Sequence, residues 1–538
     1  MKIKGRLVDI FERSIYPAII SIVDGKINDI KKTQDSPSIY IIPGLIDSHI
    51  HIESSMITPG AFASEAVKHG TVAVVSDPHE IANVLGLDGV MFMLRDAEKV
   101  PVKFFFGAPS CVPATIFESS GAVIDHNKVK ELLKLPDINY LSEMMNFPGV
   151  LNNDKEVHKK LGVARKLGKP IDGHAPGLNG DSLRKYINSG ILTDHECSTF
   201  AEAEEKIKLG MKVLIREGSA ARNLNSLKPL FSTQPDMIML CSDDLHPEML
   251  MRRHLEKLIA ELFLEGYDIF DILRSVTLNP SQHYNLNAGL LRQGDKADFI
   301  LVDSLEKMNV LQTWIDGKMV FGEGQIHFNY LSEEPVNNFN SSTVLEEEIR
   351  VINAGNIVRA IEAYDGELVT GEILFKSGTS DYIESNPEND ILKIVVKDRY
   401  NDSPPATGFI KGFGIKRGAF ASSVAHDSHN IIAVGTNDSD IISAINEIVR
   451  LKGGLAVSCS QEVASIQLNI AGIMTNRSCT DVANDYEKLN KLLNSYGCIM
   501  KAPFMTLSFM ALLVIPDLKI SDRGLFDVRK FDLVSMFV

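Results

Sequence analysis

The sequence predicts an α/β protein: a (β/α)8 barrel accompanied by a small composite β-sandwich domain and a C-terminal α/β domain. Three observations carry this. The chain has 538 residues, more than one folding unit needs. Between about 41 and 285, short apolar runs alternate with helical stretches, the pattern of a parallel sheet. On both sides of that section lie β-branched runs around Asp24-Gly25 and Asp316-Gly317, which read as hairpins.

The first element is therefore a β unit over 1–40, completed by 286–335 to make the sandwich. The barrel follows at 41–285. Its candidate strands are 45–52, 71–76, 103–107, 140–144, 170–173, 192–195, 212–215 and 237–242. Helical stretches fall between them at 154–167, 180–188, 201–209 and 247–264. Such units close into a barrel. An open doubly wound sheet usually places a Gly-rich phosphate turn after its first strand, and none stands there. Polar NNFNSS (337–342) separates the third part, 345–538, with strands expected at 391–397 and 455–458 and helices at 438–451 and 482–493.

Composition narrows the function. Lys+Arg total 55 and Asp+Glu 70, a formal charge of −15. Nucleic acid and anionic membrane both require a basic face, so neither is expected as a partner. Six scattered cysteines without a C-x-x-C pair fit a reducing compartment and give no support for a disulfide framework or a cysteine zinc site. The N-terminus lacks a signal-peptide apolar core, and the longest apolar run, 504–515, is too short to span a bilayer. A soluble cytoplasmic protein is expected.

The chemistry concentrates at the ends of the candidate strands. In IDSHIHIE (46–53), alternation puts Asp47, His49 and His51 on one face. Two imidazoles so placed can grip one metal ion. Glu143 ends the fourth strand and can bridge two cations; His174 ends the fifth, His195 the sixth and Asp243 the eighth. Asp244 is the nearest competitor of Asp243. Four imidazoles and two carboxylates suffice for a two-cation site that activates water. Nitrogen and oxygen donors without thiolate suit Mn, Fe or Zn.

The motifs IIPGLIDSHIHIESSMITP, VVSDPHEIANVLG, EMMNFPGVL, DGHAPGL, DHECST, IREGSAARNL and CSDD resemble those of the adenine deaminases, a branch of the amidohydrolase superfamily; SSVAHDSHNIIAVGTND resembles their C-terminal domain. The resemblance implies a metal-dependent hydrolase barrel that deaminates adenine to hypoxanthine and ammonia in purine salvage. It implies a dinuclear Mn or Fe centre, with Zn as a further option. It places metal ligands at His49, His51, His174, His195 and Asp243, with Glu143 as the bridging carboxylate where many superfamily members carry a modified lysine. Asp243 is the implied general base for hydroxide attack at C6. Leu245 departs from the arginine expected after the double aspartate. A cyclic amidohydrolase that opens a ring amide is the alternative. A homo-oligomer, dimer or larger, is expected from the habit of the fold.

Three further segments are candidates. Asp77, His79 and Glu80 in SDPHE (76–80) are read as support around the site, an extra cation site or loop structure. Arg216, Glu217 and Ser219 in IREGS (215–219) are candidates for the purine edge, against a loop salt bridge. In HDSHN (426–430), His429 is expected to reach over the barrel mouth toward substrate, with His426 and Asp427 in support. His254, His283 and His327 are read as structural.

Overall fold

The computed structural model describes residues 1–35 and 37–538. Its centre is a parallel barrel. The strands are β1 (Leu45–His51), β2 (Thr71–Ser76), β3 (Lys103–Ala108), β4 (Ile138–Met144), β5 (Ile171–Gly173), β6 (Thr193–Asp194), β7 (Lys212–Arg216) and β8 (Ile238–Cys241, resuming at Asp243–Asp244). Each expected strand is present to within about two residues. Strands β1 to β5 pair in sequence, as do β6 to β8. The Leu192 N–H donates to the Ile171 carbonyl at 3.0 Å between β5 and β6. Closure comes at the far side, where Asp243 and Asp244 pair with Ile50 and His51.

The ladder of β1 to β5 slips at four places, two of which carry chemistry. Between β1 and β2 the register shifts between Asp47 and Ile50, and between β4 and β5 it shifts between Leu141 and Met144. Each slip gives one strand an extra residue, a bulge that re-aims side chains. The first bulge holds His49 and the second Glu143. Asp243 has φ +57°, a left-handed conformation uncommon outside glycine, and it interrupts β8.

The surrounding helices follow from local signals. Lys155–Leu167 starts under the Asp154 carboxylate, which accepts from the Glu156 and Val157 N–H groups, and stops at Gly168 in the left-handed region. The expected single helix over 247–264 is two, Pro247–Leu250 and Leu255–Leu264. The break has a cause at His254. Its backbone is non-helical (φ −134°, ψ −141°), and its ring bridges Asp47 Oδ2 at 2.8 Å and Thr71 Oγ1 at 2.7 Å.

The N-terminal strands and those of 299–326 form one eight-stranded sheet, in which Phe299–Val302 pairs antiparallel with Tyr40–Pro43. The two pieces thus pair, as expected, and do so in one continuous ladder. Its ends fold over until the hairpin turns at Gly25 and Gly317 abut; a Cβ on Gly317 would lie 2.9 Å from Gly25 Cα. Both glycines have positive φ, +73° and +72°, which glycine adopts without a steric cost.

The C-terminal part holds a second eight-stranded sheet, mostly antiparallel, running from edge strand Thr370–Lys376 to edge strand Glu462–Gln467. Helix Asp438–Leu451 covers one face with Ile441, Ala444, Ile445 and Ile448, a spacing of three and four residues. The other face packs into the barrel. Ile394, Val396, Phe420 and Val434 share a single apolar core with Ile52, Met56 and Phe62. The two parts therefore meet through a continuous core that lies beside the barrel mouth.

Titration of His246 records this junction. The ring lies edge-on to Tyr486 of helix Cys479–Ser495 at 4.9 Å and is buried. Burial, aided by repulsion from His426, pushes its pKa down to about 3. The unfolded chain takes up this proton near pH ~6.5 and the folded chain does not. The contribution to stability is thus fully present above that pH and is lost as pH falls from there toward 3. The slope approaches about 1.4 kcal/mol per pH unit. His246→Gln is expected to flatten the fall in melting temperature between pH 6.5 and 4.5; an unchanged slope would contradict this.

Candidate active site

Six buried side chains converge at the C-terminal ends of the barrel strands. His49 Nε2 and His51 Nε2 lie 3.2 Å apart. Asp243 Oδ1 is 3.6 Å from the first and 3.3 Å from the second. Glu143 stands between two groups: Oε1 is 3.3 Å from His51 Nε2, and Oε2 is 2.7 Å from His174 Nδ1 and 3.2 Å from His195 Nε2. The rings of His49 and His195 stack at 4.3 Å.

The electrostatics follow from burial opposed by pairing. Burial alone would raise Glu143, but the imidazoles of His195 and His174 hold it well below the usual carboxylate range. Asp243 is likewise depressed against its burial, by the hydrogen bond from His51 and the charge of Arg216. Both carboxylates are therefore anionic near neutrality. His49 Nδ1 and His174 Nε2 are buried without a hydrogen-bond partner. These are the ring nitrogens opposite the cluster, whose inner nitrogens are His49 Nε2 and His174 Nδ1. The donor set and its spacing fit divalent metal.

A small cavity of about 30 Å³ lies over these residues. Its floor includes His51, Glu143, His174, His195 and Asp243; Leu368, Phe509 and Leu512 of the C-terminal part line it from above, with Met145 at the side. Charged and apolar walls face each other across it, the mix that ligand sites use to orient a bound molecule.

The other expected residues divide. Asp77, His79, Glu80, His426 and Asp427 are all buried around the mouth. Arg216 lines the cavity, but its guanidinium is occupied. One nitrogen donates to Asp243 Oδ2 at 2.9 Å, and both terminal nitrogens grip the Glu196 carboxylate, the second at 2.9 Å. Glu217 faces away and pairs with Arg222 and Arg253 at 3.3 and 3.4 Å. Ser219 Oγ accepts from the His246 N–H at 2.9 Å, outside the cavity. His429 is spent on Glu80 and on the Ala425 N–H. In this geometry Glu217, Ser219 and His429 do not reach the cavity. Asp244, the competitor to Asp243, also lines the cavity, and its Oδ1 accepts from the Ser54 hydroxyl. Of the remaining histidines, His254 supports Asp47, His283 Nε2 stands 3.9 Å from Asp172, and His327 meets the Gly322 carbonyl.

Sequence reasoning missed Glu196. It is buried, 3.5 Å from His195 Nε2 and 3.6 Å from His174 Nδ1, and is the partner of Arg216. It also missed the apolar roof.

A parallel barrel with histidines and carboxylates gathered at its C-terminal strand ends defines a metal-dependent amidohydrolase. The sequence pattern of the Amidohydrolase family matches residues 40–320, and that of the Adenine deaminase C-terminal domain matches residues 367–532. Adenine deaminase of Methanosarcina mazei is 50% identical over 550 residues, covering 100% of this chain and 99% of that protein. Adenine deaminases of Sulfurovum sp. and Salinibacter ruber are 49% and 47% identical, covering 99% and 100% of this chain and 99% of each relative. The chain belongs to the adenine deaminase family of amidohydrolases.

Proposed function

We propose that the protein is an enzyme that hydrolyses adenine to hypoxanthine and ammonia in purine salvage. We assign two divalent cations per active site, Mn2+ or Fe2+, to His49, His51, Glu143, His174, His195 and Asp243; Zn2+ suits the same donors. The observation that carries this reading is the convergence of four imidazoles and two anionic carboxylates beneath a small apolar roof. Full-length relatives called adenine deaminase support it.

The bound metal supplies water of lowered pKa, so that hydroxide is available near neutrality. The residues of the chain do the rest. Leu368, Phe509 and Leu512 hold the purine face and exclude bulk water. Glu143 keeps its negative charge between the two imidazole groups. Asp243 takes the proton released as water oxygen bonds to C6. The C6–N bond breaks in the tetrahedral adduct once the amino nitrogen has gained a proton, and Asp243 is placed to return it. The products are hypoxanthine and ammonia, and the carboxylate is regenerated. Arg216 holds Asp243 from the side opposite His51.

Among the described residues no helix is long and apolar enough to cross a membrane. All six cysteines are free thiols. On these grounds, with the acid surplus, we assign a cytoplasmic site of action on a small molecule, without nucleic-acid or membrane partners. The habit of the barrel fold suggests a dimer or larger homo-oligomer. The test is ammonia release by Mn2+-loaded protein from adenine, with guanine, adenosine, hydantoins and dihydropyrimidines as competitors in the panel. Adenine is expected to be the preferred substrate. Ring opening of a cyclic amide without ammonia would replace this reading with the cyclic-amidohydrolase alternative.

A further inference from the structure

A second group of metal-ligand type lies beside the first, where the barrel meets the C-terminal part. His79 and Glu80 begin the short helix His79–Leu85 after β2. His426 and Asp427 come from the loop between strands Ala419–Ser422 and Ile431–Gly435. All four are at least nine-tenths buried. His79 Nε2 stands 3.4 Å from Glu80 Oε1 and 3.7 Å from Asp427 Oδ1. The first lies within the 3.2 to 3.6 Å range found among His49, His51 and Asp243, and the second just beyond it. Donors about 2.1 Å from a shared ion lie roughly 3–3.5 Å from one another.

A further observation points to a ligand. Asp427 Oδ2 is buried with no hydrogen-bond partner. A carboxyl oxygen buried without a partner is unfavourable. Behind His79, Asp77 Oδ2 stands 3.1 Å from Nδ1, the place a supporting carboxylate takes behind a metal-ligating imidazole. His426 Nδ1 also meets the Glu80 carboxylate, so a fourth donor of the same type is at hand.

We propose that His79 Nε2, Glu80 and Asp427 bind a further divalent cation, distinct from the pair at the barrel axis, that ties the C-terminal part to the barrel mouth. One nitrogen and two or more carboxylate oxygens without thiolate suit Mn2+, Fe2+ or Zn2+. The inference goes beyond the deaminase reading and does not depend on it.

Full-length protein stripped with chelator and dialysed against Mn2+ is analysed for bound metal per chain. Wild type is expected to hold one ion more than Asp427→Asn, three against two when the axial pair is full. Glu80→Gln is expected to match Asp427→Asn, and it carries the test should the asparagine variant fail to fold. A His49→Ala/His51→Ala variant is expected to keep the ion that the Asp427 change removes, so loss of the axial ions alone leaves the difference of one intact. Equal metal content in wild type and both folded variants, Asp427→Asn and Glu80→Gln, would overturn the proposal. That result would leave His79 and Asp427 as polar walls of the substrate cavity.

Discussion

Asp243→Asn is expected to lower kcat for adenine by about 10²–10⁴-fold, the range lost when a positioned general base is removed. The change is nearly isosteric. The side-chain oxygen can still accept from Arg216, which now donates at 2.9 Å. What the amide cannot do is take a proton from water or return it to the leaving nitrogen. Because Asp243 Oδ1 also faces both His49 and His51, metal affinity is expected to fall too. The kinetics are therefore read on variant protein whose metal content has been brought back to the wild-type level. A kcat within a few-fold of wild type under those conditions would remove Asp243 from the base role. A parallel loss in Arg216-intact, metal-full protein would support it.

Arg216→Met is the second large effect, and its origin is different. The guanidinium is buried and shared by Glu196 and Asp243, so deleting it leaves two buried carboxylates without their cation. Breaking a buried pair in this way costs about 3–5 kcal/mol. A marked drop in melting temperature is expected, together with a fall in kcat as Asp243 loses its lateral support. Arg216→Lys is expected to recover only part of either quantity. Lysine offers a point charge where the site uses both guanidinium nitrogens on one carboxylate. A stable, fully active methionine variant would contradict the positioning role and return Arg216 to the purine edge.

Much of the barrel was legible because its strands obey a simple rule. A buried parallel strand reads as an apolar run, and polar residues at its C-terminal end interrupt that run at the functional face. That is how IDSHIHIE, YLSEM, IDGH and LCSDD disclose themselves. Alternation alone does not explain the geometry, since bulges at His49 and Glu143 re-aim the side chains. Glu196 carries no such signal. It follows β6, which ends at Asp194, so strand alternation no longer governs where its side chain points. The roof is hidden for another reason. Phe509 and Leu512 lie in the longest apolar run of the chain, which reads equally well as core. Only the packing of the C-terminal sheet against the barrel brings that run to the mouth. Several antiparallel strands of the third part went unrecognised because they carry no apolar run; Thr370–Lys376 buries only Thr370.

The IREGS segment illustrates the same limit. Its position after β7 predicts nearness to the site, and Arg216 meets that prediction. Glu217 and Ser219 are drawn off by Arg222, Arg253 and the His246 backbone, partners that no spacing rule links to them.

The most direct test of the whole account is anomalous diffraction from crystals grown with Mn2+, collected on both sides of the manganese edge. Two strong peaks are expected at the barrel axis, one within reach of His49, His51 and Asp243, the other of His174 and His195, with Glu143 between them. A map with no anomalous density among those six side chains, from crystals whose protein turns over adenine, would contradict it.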